Sequence, residues 1–122
     1  MRYSKQREIV LKTIQSTDTH PTANQVFVEV RREISNISLG TVYRNLNQLV
    51  KNNFLKQYSL DRIIHYDGNL QDHNHFYCER CKIMIDIPEL IVDLNCLTPE
   101  PDFKITGMEI LLSGICNKCQ NK

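Results

Sequence analysis

The sequence predicts an α+β protein in two parts, and three observations support this prediction. Helix-spaced apolar residues dominate the first fifty positions, and strand-like alternation follows them. Basic residues concentrate in the first half of the chain and acidic residues in the second. Two Cys-x-x-Cys pairs lie within the acidic half. We therefore expect one domain at residues 1–66 and another at residues 67–122.

The composition limits the possible classes of protein. With 122 residues, of which 41% are apolar, the chain can bury only one modest core or two small ones. It has neither the roughly 18 consecutive apolar residues of a membrane span nor a signal peptide, so we expect a cytoplasmic protein without a membrane partner. In that reducing compartment, five cysteines favour metal binding or redox chemistry over disulfides.

The two halves also differ in charge. Residues 1–66 contain ten Lys and Arg against five Asp and Glu, which gives a net charge of +5. Residues 67–122 contain five against nine, which gives −4. The asymmetry predicts that the first half binds a polyanion and that the second has another task, with a chance distribution of surface charge as the alternative.

Local signals predict two helices before residue 31. The first runs from Ser4 to Ser16, where apolar residues recur at helical spacing. The second begins after Pro21, because Thr22 and Gln25 have the spacing of a capping box. Since Pro21 favours an extended conformation at the preceding residue, His20 should lie before the helix rather than in it.

A third predicted helix has two contrasting faces. Ser38 is its expected N-cap, and Asn52-Asn53 should end it. Its apolar stripe consists of Leu39, Val42, Leu46, Leu49 and Val50. The opposite face offers donors for DNA bases and phosphates at Thr41, Tyr43, Arg44, Gln48 and Lys51. Arg7 of the first helix is a further candidate for phosphate contact, although any solvated helix face has a similar composition.

Two alternating segments, FLKQYS and RIIHY, follow the third helix and predict strands joined by a turn at Leu60-Asp61. Three helices followed by a two-stranded wing are typical of a winged helix-turn-helix, which reads duplex DNA with its last helix. A two-fold dimer of such a domain would prefer an inverted-repeat site.

The paired cysteines predict a structural zinc site. A closed tetrahedral site needs four thiolates, which are supplied by Cys78, Cys81, Cys116 and Cys119. A redox dithiol is the alternative, but that motif usually opens a helix in a βαβ setting, which neither pair is expected to have. Cys96 is left over on a predicted helix that Pro88 opens, and we expect it to be a small core residue.

The remainder of the second half predicts a small α/β dimerisation domain around this zinc site. HFYCERCKIMIDI has the pattern of a strand, a cysteine knuckle and another strand. FKITGMEILLSGIC, residues 103–116, has the pattern of one long strand that is apolar on both faces near its end. A small domain that buries such a strand should pair with a second subunit, so we expect a homodimer.

His73 and His75 would share one face of a strand and suggest a second metal site. Two histidines alone fit metal binding and ordinary structural roles equally well. Asp67 and Asp86 add carboxylates nearby, and imidazole with carboxylate suits iron and manganese as well as zinc. His65, near the end of the wing, is expected to be structural.

The segments THPTANQVF, SLGTVYRNL, DHNHFYCERC, IDI and CNKC occur in the order of the ferric uptake regulator family, which the chain resembles over nearly its whole length. The resemblance implies a dimeric winged-helix repressor with a four-cysteine zinc site. It also implies a regulatory Fe(II) or Mn(II) site where the two domains meet. The regulatory ligands then fall on His20, Asp67, His73, His75 and Asp86.

Within that family the chain most resembles the peroxide-sensing branch. Asp rather than Glu stands at position 86, and Thr106-Gly107-Met108 lacks the histidine with which many iron-uptake regulators build an additional site. The branch implies peroxide as the only small molecule involved, with His20 and His73 as the oxidised residues. An iron-, zinc- or manganese-uptake regulator is the alternative, and Arg44 matches what iron-uptake members often have at that position.

We expect no enzyme activity. Two further classes stay open at this point: a thiol redox protein that uses one cysteine pair, and a zinc-ribbon module that binds RNA. The second of these would need exposed aromatic rings for base stacking, for which Phe76 and Tyr77 are the candidates.

Overall fold

A computed structural model describes residues 2, 4–71, 73–87 and 102–121. The chain divides into two compact units, Met1–Leu70 and Gln71–Lys122, so the division follows Leu70 rather than residue 66. The α+β class, with a winged helix followed by a small domain that carries a four-cysteine cluster, is confirmed. The helix predicted after Pro88, together with Cys96, lies outside the described residues.

The first unit contains three helices and a hairpin. The helices are α1 (Lys5–Gln15), α2 (Ala23–Val30) and α3 (Leu39–Lys51), and the strands are β1 (Lys56–Leu60) and β2 (Ile63–Asp67). Each helix begins at a side-chain cap that satisfies a free backbone N–H of its first turn. Ser4 accepts from the N–H of Arg7, Thr22 forms the predicted capping box with Gln25, and Ser38 accepts from the N–H of Thr41.

One hydrophobic core holds these elements together. Its buried residues are Val10, Ile14, Ala23, Val26, Val30, Ile37, Val42, Leu46, Leu49, Leu55 and Tyr66. They come from all three helices, the connecting segments and β2, so the hairpin packs as part of the helical domain. The predicted stripe of α3 is largely confirmed, because Val42, Leu46 and Leu49 are buried.

The hairpin forms the wing. Its strands pair antiparallel from Lys56↔Asp67 to Leu60↔Ile63. Asp61 and Arg62 make the turn with φ angles of 52° and 66°. Positive φ at both central residues is the requirement of the two-residue turns that match the twist of paired strands. The turn therefore lies one residue later than the predicted Leu60-Asp61.

The second unit contains a small mixed sheet. Its strands are β3 (Asn74–Cys78), β4 (Met84–Ile87) and β5 (Leu111–Gly114), followed by a one-turn helix, α4 (Asn117–Gln120). The sheet order is β4-β3-β5, with β4 antiparallel and β5 parallel to β3. The central strand, β3, is therefore hydrogen-bonded to β4 on one side and to β5 on the other, and it fixes the positions of both.

The prediction of one long strand at residues 103–116 is wrong. Only Leu111–Gly114 forms a strand, and no described strand pairs with residues 103–109. The N–H of His75 still donates to the carbonyl of Ile110. The N–H of Ile110, however, donates to the side-chain oxygen Oδ1 of Asn74 rather than to a backbone carbonyl. Apolar alternation was therefore insufficient, because a strand also needs a neighbouring backbone with which to hydrogen-bond.

Apolar side chains of this unit remain exposed in the single chain. Leu111 and Leu112 of β5 are 46% and 44% exposed, and Phe103 is 59% exposed. In β4 the buried side chain is Met84, whereas the neighbouring Ile83 is 36% exposed. None of the described helices has the length and apolar character needed to cross a membrane.

Candidate metal centres and DNA-facing surface

Four cysteine sulfurs converge in the second unit. Sγ atoms of Cys78, Cys81, Cys116 and Cys119 all lie within 4.8 Å of one another. The pair Cys81–Cys116 is separated by 3.8 Å. Four sulfurs bound tetrahedrally at the usual zinc–sulfur distance would be about 3.8 Å apart. The cluster therefore has nearly the size of a closed zinc site.

Backbone turns bring these cysteines together. Cys78 ends β3, and its carbonyl accepts from the N–H of Lys82 at 2.9 Å, which closes the loop that carries Cys81. Cys116 is the N-cap of α4, and Cys119 lies within that helix. Cys116 thus opens a helix, but that helix is only one turn long and no described strand follows it, so the second pair lacks the βαβ setting of a redox dithiol, as expected.

Backbone N–H groups stabilise the thiolate of Cys78. The N–H of Cys116 lies 3.4 Å from its sulfur and the N–H of Cys81 lies 3.5 Å away. These donors, with Cys116 the stronger, lower the pKa of Cys78 to about 6. Burial raises the pKa of Cys119 instead. A metal cation would compensate the burial of charge, since thiolates rather than thiols bind zinc.

Arg80 links the two cysteine loops and was missed by the sequence analysis. Its Nη1 atom donates to the carbonyl of Cys119 at 3.1 Å. The signal in the sequence was a cation between two metal-ligating cysteines, which places positive charge beside a cluster that becomes anionic when deprotonated.

A histidine and an aspartate meet in the interior of the first unit. His20 and Asp67 are each 2% exposed, and Nδ1 of His20 lies 3.5 Å from Oδ1 of Asp67. Asp67 is the last residue of β2, and its Oδ1 also accepts from the N–H of Asn69. Buried charged groups need partners of this kind, and a metal cation would serve as a further one.

His20 lies before α2, as predicted, but its backbone is not in the extended conformation that Pro21 was expected to favour. Its φ angle is 52°, in the left-handed region, and it precedes Pro21. Such a conformation costs about 1–3 kcal/mol in a residue other than glycine and needs support from the surrounding structure. The N–H of Tyr66 donates to the carbonyl of Pro21 at 3.0 Å, and Nδ1 of His65 donates to the carbonyl of His20 at 2.9 Å.

Two histidines and one aspartate meet in the second unit. Nε2 of His73 lies 3.0 Å from Oδ1 of Asp86, and Nε2 of His75 lies 3.3 Å from the same oxygen. The two rings are 4.2 Å apart between centroids and tilted by 57°. His75 is 2% exposed. Both imidazoles therefore direct one nitrogen toward a shared carboxylate oxygen.

The protonation of His73 makes this arrangement suitable for a cation. Its Nδ1 lies 2.6 Å from the carbonyl oxygen of Gln71, which can only accept, so Nδ1 carries a proton. In the neutral ring, Nε2 then presents a lone pair to the oxygen of Asp86. Because both Nε2 of His73 and the oxygen of Asp86 are then acceptors, they need a proton or a metal ion between them. A backbone carbonyl that accepts from the other ring nitrogen, here Nδ1, is typical of metal-bound histidine.

The predicted regulatory residues therefore form two groups, one in each unit. His20 and Asp67 meet in the first, and His73, His75 and Asp86 meet in the second. These residues differ in donor type from the four cysteines. The four thiolates suit zinc, whereas imidazole and carboxylate groups also suit iron and manganese.

The predicted DNA-facing side of α3 is open to solvent. Tyr43, Arg44, Gln48 and Lys51 are exposed, and Thr41 is partly buried. Nη2 of Arg44 donates to Oγ1 of Thr41 at 3.0 Å, and Nη1 of Arg7 donates to Oε1 of Gln48 at 3.0 Å. The bond to Gln48 brings Arg7 of α1 next to α3. Both guanidinium groups keep further N–H donors for a ligand, because each has five.

Known proteins resemble this chain in sequence and in structure. A sequence model of the Ferric uptake regulator family matches residues 1–112. The ferric uptake regulation protein of Campylobacter upsaliensis is 34% identical, over 100% of this chain and 82% of that protein. The peroxide-responsive repressor PerR of Staphylococcus aureus is 30% identical, over 100% of this chain and 84% of that protein. The solved structure of the Helicobacter pylori ferric uptake regulator Fur, described as having three functional metal-binding sites, superposes with a TM-score of 0.82 at 25% identity, covering 100% of this chain and 84% of that chain.

Proposed function

Because the chain belongs to the ferric uptake regulator family, we propose that it is a metal-dependent, DNA-binding transcriptional repressor. Members of this family are transcriptional regulators rather than enzymes. The exposed polar face of α3, next to the basic side chain of Arg7, supports DNA binding by the first unit. We further propose that Cys78, Cys81, Cys116 and Cys119 hold a structural zinc ion.

The regulatory metal, in this proposal, is held by ligands from both units. The observation that carries it is the convergence of His73 and His75 on one oxygen of Asp86. Three such ligands leave positions open at iron or manganese, and the buried pair of His20 and Asp67 supplies two more. Asp67 and His73 are six residues apart in the chain, so their Cα atoms lie at most about 22 Å apart.

An ion shared in this way restricts the two units to one arrangement. A ligand shifts a conformational equilibrium only by binding one state better than the other, and only one arrangement of the units offers all five ligands. In a homodimer, that arrangement sets the distance between two recognition helices and hence the fit to an inverted-repeat operator. Exposed Leu111 and Leu112 provide apolar surface for the dimer contact.

Peroxide is the proposed signal. Asp86 and the absence of histidine at positions 106–108 favour this branch, as does the 30% identity to a peroxide-responsive repressor. Bound Fe(II) would reduce peroxide and produce an oxidant next to its ligands. His20 and His73 are the proposed targets, and an oxidised imidazole is a poor metal ligand. Loss of either one breaks the link between the two units and releases DNA.

Iron sensing is the second candidate function. The 34% identity to a ferric uptake regulation protein and Arg44 in α3 favour it. A thiol redox function has less support, because four sulfurs converge where a dithiol needs two. Binding of RNA by base stacking also has less support, because Tyr77 is only 3% exposed.

A DNA-binding titration tests the proposal. Zinc-loaded protein is titrated with Mn(II), Fe(II) or Zn(II) under anaerobic conditions in the presence of an operator-like inverted repeat. Peroxide is then added to each metal-loaded complex. A peroxide-sensing repressor should bind DNA with Mn(II) or Fe(II) and should release it on peroxide addition only when loaded with Fe(II).

The His75→Ala variant is the control, since it removes a regulatory ligand without touching a cysteine. It should keep its structural zinc and lose metal-dependent DNA binding. Release of DNA from the Fe(II) form only on chelation, and not with peroxide, would favour the iron-sensing alternative. Metal-independent DNA binding by the unaltered chain would contradict the proposed function altogether.

A further inference from the structure

The wing strand β2 contacts His20 through two of its side chains. His65 and Asp67 lie two positions apart on this strand, so their side chains share a face, and both are buried, at 4% and 2% exposed. Nδ1 of His65 lies 2.9 Å from the carbonyl oxygen of His20. Because that oxygen only accepts, Nδ1 of His65 is the donor. Asp67 contacts the other end of His20, at Nδ1 of its ring.

His20 depends on such contacts for its conformation. A left-handed backbone is unfavourable for histidine, and Pro21 restricts its preceding residue further. An isolated β-bridge between Thr22 and His65, and the bond from the N–H of Tyr66 to the carbonyl of Pro21, attach the same segment to β2. Among these contacts, the side chain of His65 is the one that holds the carbonyl of His20 itself.

We propose that His65 is a positioning residue for the regulatory metal site. By holding the carbonyl of His20, it keeps the backbone in the conformation that directs the imidazole of His20 toward Asp67. The inference rests on the proposed function, because it assumes that His20 and Asp67 bind the regulatory metal. Since β2 is a strand of the wing, a metal bound there also ties the wing to the start of α2.

Three variants of the full, zinc-loaded chain test this role. His65→Leu removes the donor, His65→Asn places an amide N–H near the position of Nδ1, and His65→Gln places one nearer the position of Nε2. Calorimetric titration with Mn(II) should show about 10- to 100-fold weaker binding for the Leu and Gln variants. The Mn(II) affinity of the Asn variant should stay within about threefold of that of the unaltered chain, which is well short of the loss expected for the other two variants.

A double-mutant comparison separates positioning from a general structural effect. If His65 acts through His20, His65→Leu should weaken Mn(II) binding in the unaltered chain and have no further effect in a His20→Ala background. Equal losses in the two backgrounds would overturn the inference. Gln57→Ala, an exposed change in the same wing, is the matched control and should leave Mn(II) affinity unchanged.

The outcomes distinguish this inference from the function on which it rests. If the unaltered chain binds no Mn(II), or if His75→Ala binds it equally well, the proposed regulatory site is wrong. If both behave as proposed but His65→Leu binds Mn(II) like the unaltered chain, only the role of His65 is overturned. Thermal melting of the zinc-loaded variants monitors folding. If His65→Leu fails to fold, the Asn and Gln variants decide, and equal affinities would overturn the role.

Discussion

His75 and Asp86 are direct cross-strand partners in the β3–β4 pair, and Nε2 of His75 lies 3.3 Å from Oδ1 of Asp86. Direct partners on one face of an antiparallel pair have side chains close enough to interact. A shift of the register by one residue would send Asp86 to the other face of the sheet. Two of the three ligands proposed in the second unit, His75 and Asp86, therefore lie on paired strands, which hold their geometry more firmly than a loop would, and His73 directly precedes β3.

Asp86→Asn should weaken Mn(II) binding by at least about tenfold, because it removes the negative charge on which both histidines converge while keeping the side-chain shape. Calorimetric titration of the zinc-loaded protein measures the change. Asp102→Asn is the matched control, since it alters an exposed carboxylate of the same unit. Unchanged Mn(II) affinity in Asp86→Asn would remove Asp86 from the proposed site.

Cys116→Ser should abolish zinc binding and destabilise the second unit. A structural zinc site contributes an apparent binding free energy of about 10–16 kcal/mol, which exceeds the stability of many small domains. Elemental analysis measures the zinc content, and circular dichroism measures unfolding. Cys96→Ser, which changes the fifth cysteine, should keep its zinc. A zinc-free Cys116→Ser protein that melts at the temperature of the unaltered chain would contradict a structural role.

Arg44→Ala should weaken binding to the specific operator by about 1–3 kcal/mol if Arg44 reads a base, and should leave non-specific binding nearly unchanged. Its guanidinium lies on the exposed side of α3, where Thr41 orients it. Lys51→Ala should instead weaken binding to all DNA sequences alike, and it should reduce the salt dependence of the binding constant by about one phosphate contact.

Fluorescence anisotropy with operator and scrambled duplexes, at several salt concentrations, separates these two effects. Arg32→Ala is the matched control for a lost positive charge, because Arg32 is exposed, lies just beyond the end of α2 and pairs with Glu29 of that helix. An equal loss on both duplexes for Arg44→Ala would assign Arg44 to the phosphates.

Brief peroxide treatment of the Fe(II)-loaded protein should add one oxygen to the peptide that contains His20 or His73. The oxidant forms where the metal is bound, so the ligands are closer to it than the thiolates held by redox-inert zinc. Peptide mass spectrometry detects the modification, and the Mn(II)-loaded protein is the control that should stay unmodified. If DNA release accompanies cysteine oxidation while both histidines stay unmodified, the sensing chemistry is thiol-based.

Features that depend on a few neighbouring residues could be predicted from the sequence. Ser4, Thr22 and Ser38 each cap a helix by bonding a backbone N–H three residues later, so the signal is local. The alternating segments that form the wing and the cysteine spacing are local in the same sense. These signals identified the winged helix and the four cysteines that converge.

Contacts between distant parts of the chain were decided only by the tertiary structure. Residues 103–109 have the apolar alternation of a strand but no described partner strand, and Met84 is the buried residue of β4, whereas Ile83, just before the strand, is 36% exposed. His65 holds the carbonyl of His20 across 45 positions, and this contact supports a left-handed backbone that the sequence did not predict. Caps and periodicity follow from the intrinsic geometry of helices and strands, whereas pairing, burial and backbone strain depend on which distant atoms meet.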